Sequence, residues 1–172
     1  MAQAHYTLWY RLDQRTCYLL WYSNDGDGVV VDASGHIPVF SAQADLRAYA
    51  VMHALTITQE QPILHNLDAV TNWLRRKRPT QPDCNAFLGA WNLLADVSNS
   101  VGGSFDPDKE RTVHLYRKLF WGSNLPVMTP PGEQFEPHWS EKEYQEMRVV
   151  LRGGLSLFRS HTRLRRGIVT QV

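Results

Sequence analysis

The residues with the most evident chemical potential are two carboxylates, Asp25 and Asp27, in the stretch YSNDGDGVVVD. A calcium-binding loop needs oxygen ligands at alternating positions, a glycine at the sixth position and a bidentate glutamate at the twelfth. If Gly28 takes the sixth position, serines take the first and the twelfth, Ser23 and Ser34. We therefore predict a hairpin connection without a metal ion, because Asp-Gly between strand-forming runs favours a tight turn.

A possible acid-base pair lies just beyond this turn. Asp32 and His36 flank the Ser34-Gly35 turn and can approach each other. They leave open a small enzyme with an unrecognised site near this pair. The sequence contains neither G-x-S-x-G nor H-E-x-x-H, C-x-x-C or a phosphate-binding glycine loop. We predict a protein that is not an enzyme, with no catalytic residue, no metal and no cofactor.

Two basic clusters keep a third function open, that of a nucleic-acid-binding accessory protein. A solvated helix C-terminus is the simpler interpretation of both, because cations are favoured there. The net charge is +1, whereas nucleic-acid-binding domains usually have a clear basic excess, so we expect no nucleic-acid partner. The clusters are Arg75, Arg76, Lys77 and Arg78, and Arg159, Arg163, Arg165 and Arg166.

Composition indicates a single globular domain over residues 1–172. Hydrophobic residues make up 43% of the chain, enough for a core and too many for a disordered protein. No apolar run approaches the roughly 20 residues that span a bilayer, and the N-terminus lacks signal-peptide features. Two distant cysteines form neither a metal motif nor a disulfide framework. We expect a cytoplasmic protein without membrane association.

The element pattern predicts an α+β fold. Residues 1–40 contain short aromatic and β-branched runs separated by turns, which predict an antiparallel meander of about four strands. Pro38 lacks an amide hydrogen, so we place the fourth strand at an edge of the sheet. Residues 41–161 are mainly helical, with about four or five helices packed against the strands. Residues 162–172 are predicted to be a frayed tail.

Candidate capping residues place the helix starts. They are Ser41, Asn66 or Asp68, Asp83, and Ser140, which forms a capping box with Glu143. The helix that Asp83 starts has the broadest apolar stripe, which predicts burial on most of its surface. Four of the nine prolines lie between Asn124 and Pro137 and predict an extended loop over residues 122–139, whose role the sequence leaves open.

One segment resembles a known group of proteins. The stretch VVVDASGHIPVFSAQADLRAYA, residues 29–50, joins a strand, a Ser-Gly turn, an IPVF strand and a capped amphipathic helix. It resembles segments of small bacterial immunity proteins, the cytoplasmic antidotes of contact-dependent growth inhibition and polymorphic toxin systems. The resemblance implies a non-catalytic protein that binds and blocks a cognate toxin domain, such as a nuclease.

That mechanism assigns a role to the acidic loops. Carboxylates steer and orient a basic protein surface, and exposed aromatic side chains supply most of the affinity. The resemblance therefore implies that the toxin contacts acidic residues in the first hairpin and in the segment FDPDKER. The predicted partner-binding residues are Asp25, Asp27, Asp106, Asp108 and Glu110.

Overall fold

The computed structural model describes residues 4–23, 26–58, 61–105 and 109–165. Within these ranges the chain has the predicted α+β architecture. The strands are β1 (Ala4–Leu12), β2 (Arg15–Ser23), β3 (Asp27–Val29), β4 (Ile37–Phe40), β5 (Leu64–Asn66) and β6 (Thr162–Arg165). The helices are α1 (Gln43–Met52), α2 (Leu67–Arg75), α3 (Cys84–Val101), α4 (Val113–Gly122) and α5 (Glu141–His161).

The predicted meander is wrong in its strand order. Each strand of a meander pairs with the next one along the chain, but here β2 pairs antiparallel with β1, β3 and β4. Strand β2 is nine residues long and β3 has three residues, so β3 pairs only with the last part of β2, from Trp21 to Ser23. The neighbouring stretch remains free, and Tyr18 there pairs with Phe40 of β4.

Two parallel pairings make the sheet mixed. The order is β5-β1-β2-β4-β6, in which β5 is parallel to β1 and β6 is parallel to β4. The predicted edge position of β4 is therefore wrong, and so is the frayed tail over residues 162–165. The ladder between β4 and β2 is limited to the pair Tyr18–Phe40, so the missing amide hydrogen of Pro38 does not interrupt it.

Helices cover both faces of the sheet. Neighbouring residues of a strand point to opposite faces, and Leu19 and Leu20 of β2 accordingly enter different clusters. Leu19 packs in the main core with α2, α3, α4 and α5. Leu20 packs with Phe40 and with Leu46 and Ala50 of α1. Among the described helices, α1 alone contributes to this second cluster.

Most of the predicted helix starts are confirmed. Asn66, Asp83 and Ser140 each accept a hydrogen bond from a backbone amide in the first turn of α2, α3 and α5, and Glu143 completes the capping box. Ser41 is wrong as a cap, because α1 starts after Ala42, which forms no side-chain cap. No helix among the described residues has both the length and the apolar composition needed to cross a bilayer.

Candidate functional site

Two of the five predicted partner-binding residues lie in the described part of the chain. Asp27 begins β3 opposite Ser23, whose hydroxyl donates a 2.8 Å hydrogen bond to its carboxylate. Glu110 is exposed in the connection between α3 and α4. Asp25, Asp106 and Asp108 lie outside the described residues. Strand pairing on both sides of the turn confirms the hairpin interpretation of the acidic stretch.

Strand β3 is held against the end of α3 by Ser100. The Ser100 hydroxyl accepts a 2.8 Å hydrogen bond from the Val29 amide and donates one of 2.8 Å to the Asp96 carbonyl. Gly28 lies so close to Tyr22 and Ser100 that a Cβ atom would overlap both. The glycine of this Asp-Gly pair is therefore required by close packing, and its φ is not positive.

A groove opens beside Asp27 between β1, α3 and the segment before β5. We call it the acidic groove, and its volume is about 610 Å³. Its charged lining residues within the described chain are Asp27 and Asp96, and it contains no Lys or Arg. The described lining comprises Tyr6, Thr7, Leu8, Trp21, Asp27, Gln61, Pro62, Ile63, His65, Asn92, Leu93, Ala95, Asp96, Asn99 and Tyr116.

Asp96 is the functional candidate that sequence reasoning missed. It is the single charged residue of α3, and Trp21 Nε1 donates a 2.8 Å hydrogen bond to its carboxylate. Burial raises the pKa of Asp96 to about 6; the Trp21 hydrogen bond opposes the rise, and the charge of Asp27 adds to it. A lone aspartate in an otherwise uncharged and largely buried helix was the available signal, because buried carboxylates are rare without a partner.

Aromatic side chains complete the acidic groove. The rings of Tyr6 and Trp21 lie 5.4 Å apart at 50°, and Tyr116 of α4 lines the same space. Burial lowers the pKa of His65, which favours its neutral form. This imidazole therefore does not offset the negative charge of the two aspartates at neutral pH. The groove is suited to a cation that also contacts aromatic rings.

Asp32 and His36, the predicted acid-base pair, stabilise the turn before β4. One carboxylate oxygen of Asp32 accepts hydrogen bonds from the Ser34 amide (2.9 Å), the Ser34 hydroxyl (2.5 Å) and the His36 amide (3.1 Å). The other oxygen pairs with Arg165 of β6. The Ser34 hydroxyl also lies 3.0 Å from His36 Nδ1. These bonds, the Ser34 hydroxyl foremost, hold the pKa of Asp32 well below its usual value.

The two basic clusters meet at one place. Arg75 and Arg159 line a second cavity together with Arg152, which the sequence analysis did not single out. Other members are dispersed, since Arg165 pairs with Asp32 and Arg76 donates a hydrogen bond to Thr80. Arg166 lies outside the described residues.

The proline-rich loop is tied together by one asparagine. Asn124 has a φ of 49°. Its side-chain oxygen accepts a 2.7 Å hydrogen bond from the Phe135 amide, and its side-chain nitrogen donates a 3.0 Å hydrogen bond to the Phe135 carbonyl. The loop carries exposed apolar side chains, which is unusual for a chain segment that faces only water. These side chains are Leu125, Val127, Met128 and Phe135; together with the exposed Trp121 at the end of α4, we call them the apolar loop patch.

Sequence comparison assigns no family, since no family model and no curated protein match the chain. In structure, the chain is similar to the SatS C-terminal domain in its crystal structure with bromine, with a TM-score of 0.58. The alignment covers 94% of each chain at 16% sequence identity. The chain has the fold of the SatS C-terminal domain. At this identity the likeness to SatS concerns the fold, while function depends on the residues of the site.

Proposed function

We propose that this protein is a non-catalytic immunity protein that binds a cognate toxin domain through the acidic groove and blocks its activity. The observation that carries the proposal is the combination of Asp27 and Asp96 with the rings of Tyr6, Trp21 and Tyr116 in one concave surface. Aromatic side chains are frequent energetic anchors of protein interfaces, and acidic groups steer a basic partner.

The chemistry of a nuclease toxin matches this surface. A nuclease must attract phosphates, so its substrate channel is lined by Lys and Arg. A guanidinium from such a channel would pair with the Asp96 carboxylate and stack on an indole or phenol ring. Glu110, in the connection that follows α3, would add steering charge outside the groove.

The apolar loop patch supports a protein partner over a small ligand. Val127 is 94% exposed and Phe135 is 46% exposed on a loop fixed by Asn124. Exposed apolar patches on soluble domains commonly mark protein contact sites. A chain that works by covering another protein needs such a surface in addition to charged groups.

The test is a titration of toxin activity with purified protein. The toxin candidate is the protein encoded next to this chain's gene, isolated as a complex or added separately. We expect inhibition to be complete at one equivalent and independent of incubation time. Asp27→Lys should weaken binding by about 10-fold or more, since it places a cation in front of a basic surface.

Matched variants make the titration specific. Asp45→Lys makes the same charge reversal in α1, which packs on the opposite face of the sheet from α3, and should leave inhibition unchanged. Asp96→Asn keeps an acceptor for Trp21 Nε1 and should weaken inhibition without unfolding the protein. Absence of binding to the adjacent gene product, or equal losses for Asp27→Lys and Asp45→Lys, would rule out the proposed mode of action.

A second candidate function is a small enzyme that uses Asp96 as a general acid. The observation that favours it is a carboxyl group in a cavity with a pKa raised to about 6, near the value suited to proton transfer at neutral pH. The same titration separates the two functions. An enzyme that modifies the toxin would act below one equivalent with progress over time, and Asp96→Asn would abolish that turnover.

A further inference from the structure

The second cavity lies between α2 and α5, beside the turn that joins β1 to β2. Its volume is about 670 Å³. Three arginines line it: Arg75 from α2, and Arg152 and Arg159 from α5. The remaining described lining residues are Asp13, Thr71, Leu74, Leu155 and Ser156.

Helix geometry brings the polar groups to one side. Arg152, Ser156 and Arg159 follow one another at spacings of four and three residues, so they share a face of α5. Thr71 of α2 and Leu155 of α5 are buried and belong to the floor. The exposed arginines lie at the rim of this floor, one on α2 and two on α5. Because both helices are packed in the main core, the spacing between the arginine backbones is fixed.

The arginine charges are only partly neutralised. Arg159 forms a bidentate pair with Asp13, through hydrogen bonds of 3.1 Å and 2.9 Å. Arg152 donates to the Leu74 carbonyl at 3.4 Å, a long hydrogen bond. Neither Arg75 nor Arg152 forms an ion pair with a described carboxylate. The lining therefore holds three guanidiniums against one carboxylate.

We infer that this cavity binds the phosphate groups of a small phosphorylated ligand through Arg75 and Arg152. Guanidinium groups bind phosphate oxygens in pairs, with stronger hydrogen bonds than neutral donors form. The volume falls within the range of small-ligand sites. Single-stranded nucleic acid is a poorer fit, because the described lining contains no aromatic ring on which a base could stack. The acidic groove and its partner play no part in this inference.

Calorimetric titration with pyrophosphate at low ionic strength tests the inference. We expect saturable binding that is tighter for pyrophosphate than for inorganic phosphate, because its two phosphates engage both Arg75 and Arg152. The double variant Arg75→Gln/Arg152→Gln should weaken pyrophosphate binding by about 10-fold or more. Both side chains are exposed, so the fold should persist, and thermal unfolding checks that it does.

The control variant removes the same charge elsewhere. Arg47 and Arg117 are exposed on α1 and α4 and line neither cavity, so Arg47→Gln/Arg117→Gln should retain full affinity. The inference is overturned by non-saturable binding of pyrophosphate, by equal losses in both double variants, or by unchanged affinity in the cavity variant. It is also overturned if a single-stranded oligonucleotide displaces pyrophosphate at a lower phosphate concentration, because the ligand would then be nucleic acid.

Discussion

The indole Nε1 of Trp21 donates a 2.8 Å hydrogen bond to the carboxylate of Asp96, which lies 75 residues later in the chain. This bond joins the end of β2 to the middle of α3 and fixes the orientation of the carboxylate in the acidic groove. It lowers the cost of burying Asp96 but does not remove it, because burial is the largest influence on its pKa. The groove thus contains a carboxylate that would be more stable in water.

The first prediction concerns the pH dependence of stability. The folded pKa of Asp96, about 6, exceeds its value in an unfolded chain, so the folded state binds more protons between these two values. Stability contributed by this group is present at low pH and is lost as pH rises through about 6. After allowance for solvent screening, Asp96→Asn should stabilise the protein by about 1 kcal/mol above neutral pH.

Urea unfolding at several pH values measures this difference. Near pH 4 the variant and the parent should have similar stability, since the parent carboxyl group is protonated there. Glu110→Gln removes an exposed carboxylate and serves as the control, with little change at any pH. A variant that is less stable than the parent at neutral pH would show that the carboxylate is a net structural contact.

The second prediction links pH to partner binding under the proposed function. A cationic group in the acidic groove pairs with the ionised form of Asp96 only. Affinity for the partner should therefore fall as pH drops through about 6, and the dependence should be absent in Asp96→Asn. Dissociation constants of parent and variant across this pH range provide the measurement. If the affinity of both proteins changes with pH in the same way, the group that titrates is not Asp96.

The third prediction concerns Asp32 and Arg165, which join the turn before β4 to β6. Hydrogen bonds from Ser34 and His36, with the Arg165 pair, hold the pKa of Asp32 below its unfolded value. The stabilisation is therefore present above the unfolded pKa of about 4 and is lost as pH falls below it. Asp32→Ala should cost about 1–3 kcal/mol at neutral pH, since several donors lose their acceptor.

Chemical unfolding of Arg165→Gln separates the two contributions. That variant loses the ion pair but keeps the Ser34 and His36 hydrogen bonds, and an exposed ion pair contributes at most about 1 kcal/mol. The larger loss should accordingly belong to Asp32→Ala. Equal losses in both variants would mean that the pairing of β6 depends on the ion pair itself.

The fourth prediction uses the adjacent glycines of α5. A Cβ on Gly154 would lie 2.8 Å from Leu94 and 3.0 Å from the Phe105 ring, whereas a Cβ on Gly153 meets nothing within 4 Å. Gly154→Ala should destabilise the protein by about 1–3 kcal/mol through overpacking. Gly153→Ala should stabilise it by roughly 0.5–1 kcal/mol through helix propensity. In thermal unfolding, the midpoint temperature should fall for Gly154→Ala and rise for Gly153→Ala. Shifts in the same direction would contradict the packing of α3 on α5.

The fifth prediction concerns Asn124, which ties the ends of the proline-rich loop. Asn124→Ala removes both hydrogen bonds to the Phe135 backbone. Protease cleavage between residues 125 and 135 should become faster, while the midpoint of global unfolding changes little, because local opening costs less than unfolding. Asn124→Gly also lacks the side chain but relieves the positive φ, and should show the same sensitivity. Resistance of both variants would mean that the loop is held by other contacts.

Local chemistry explains which parts of the fold were predictable. Asn66, Asp83 and Ser140 cap helices through bonds that span three residues, so the sequence alone carries the information. The spacing of apolar residues in α3 likewise predicted that this helix is buried on most of its surface.

Long-range pairing explains what was missed. The partners in the ladders of β5 with β1 and of β4 with β6 are far apart in the chain, and no local pattern specifies either register. Asp96 could not be identified as a site residue from local sequence, because its contact with Trp21 depends on the packing of β2 against α3. The cavity arginines Arg75 and Arg159 come from clusters that the sequence presents as unrelated, and α2 and α5 bring them together.

The parallel pairing of β4 with β6 has a consequence for biosynthesis. During translation, residues Ile37–Phe40 leave the ribosome long before Thr162–Arg165, so the nascent chain carries an apolar strand whose outer edge lacks its partner. Unpaired apolar edges are sites of aggregation. The short length of β4 and the missing amide hydrogen of Pro38 limit this hazard until β6, which directly follows α5, pairs with the exposed edge.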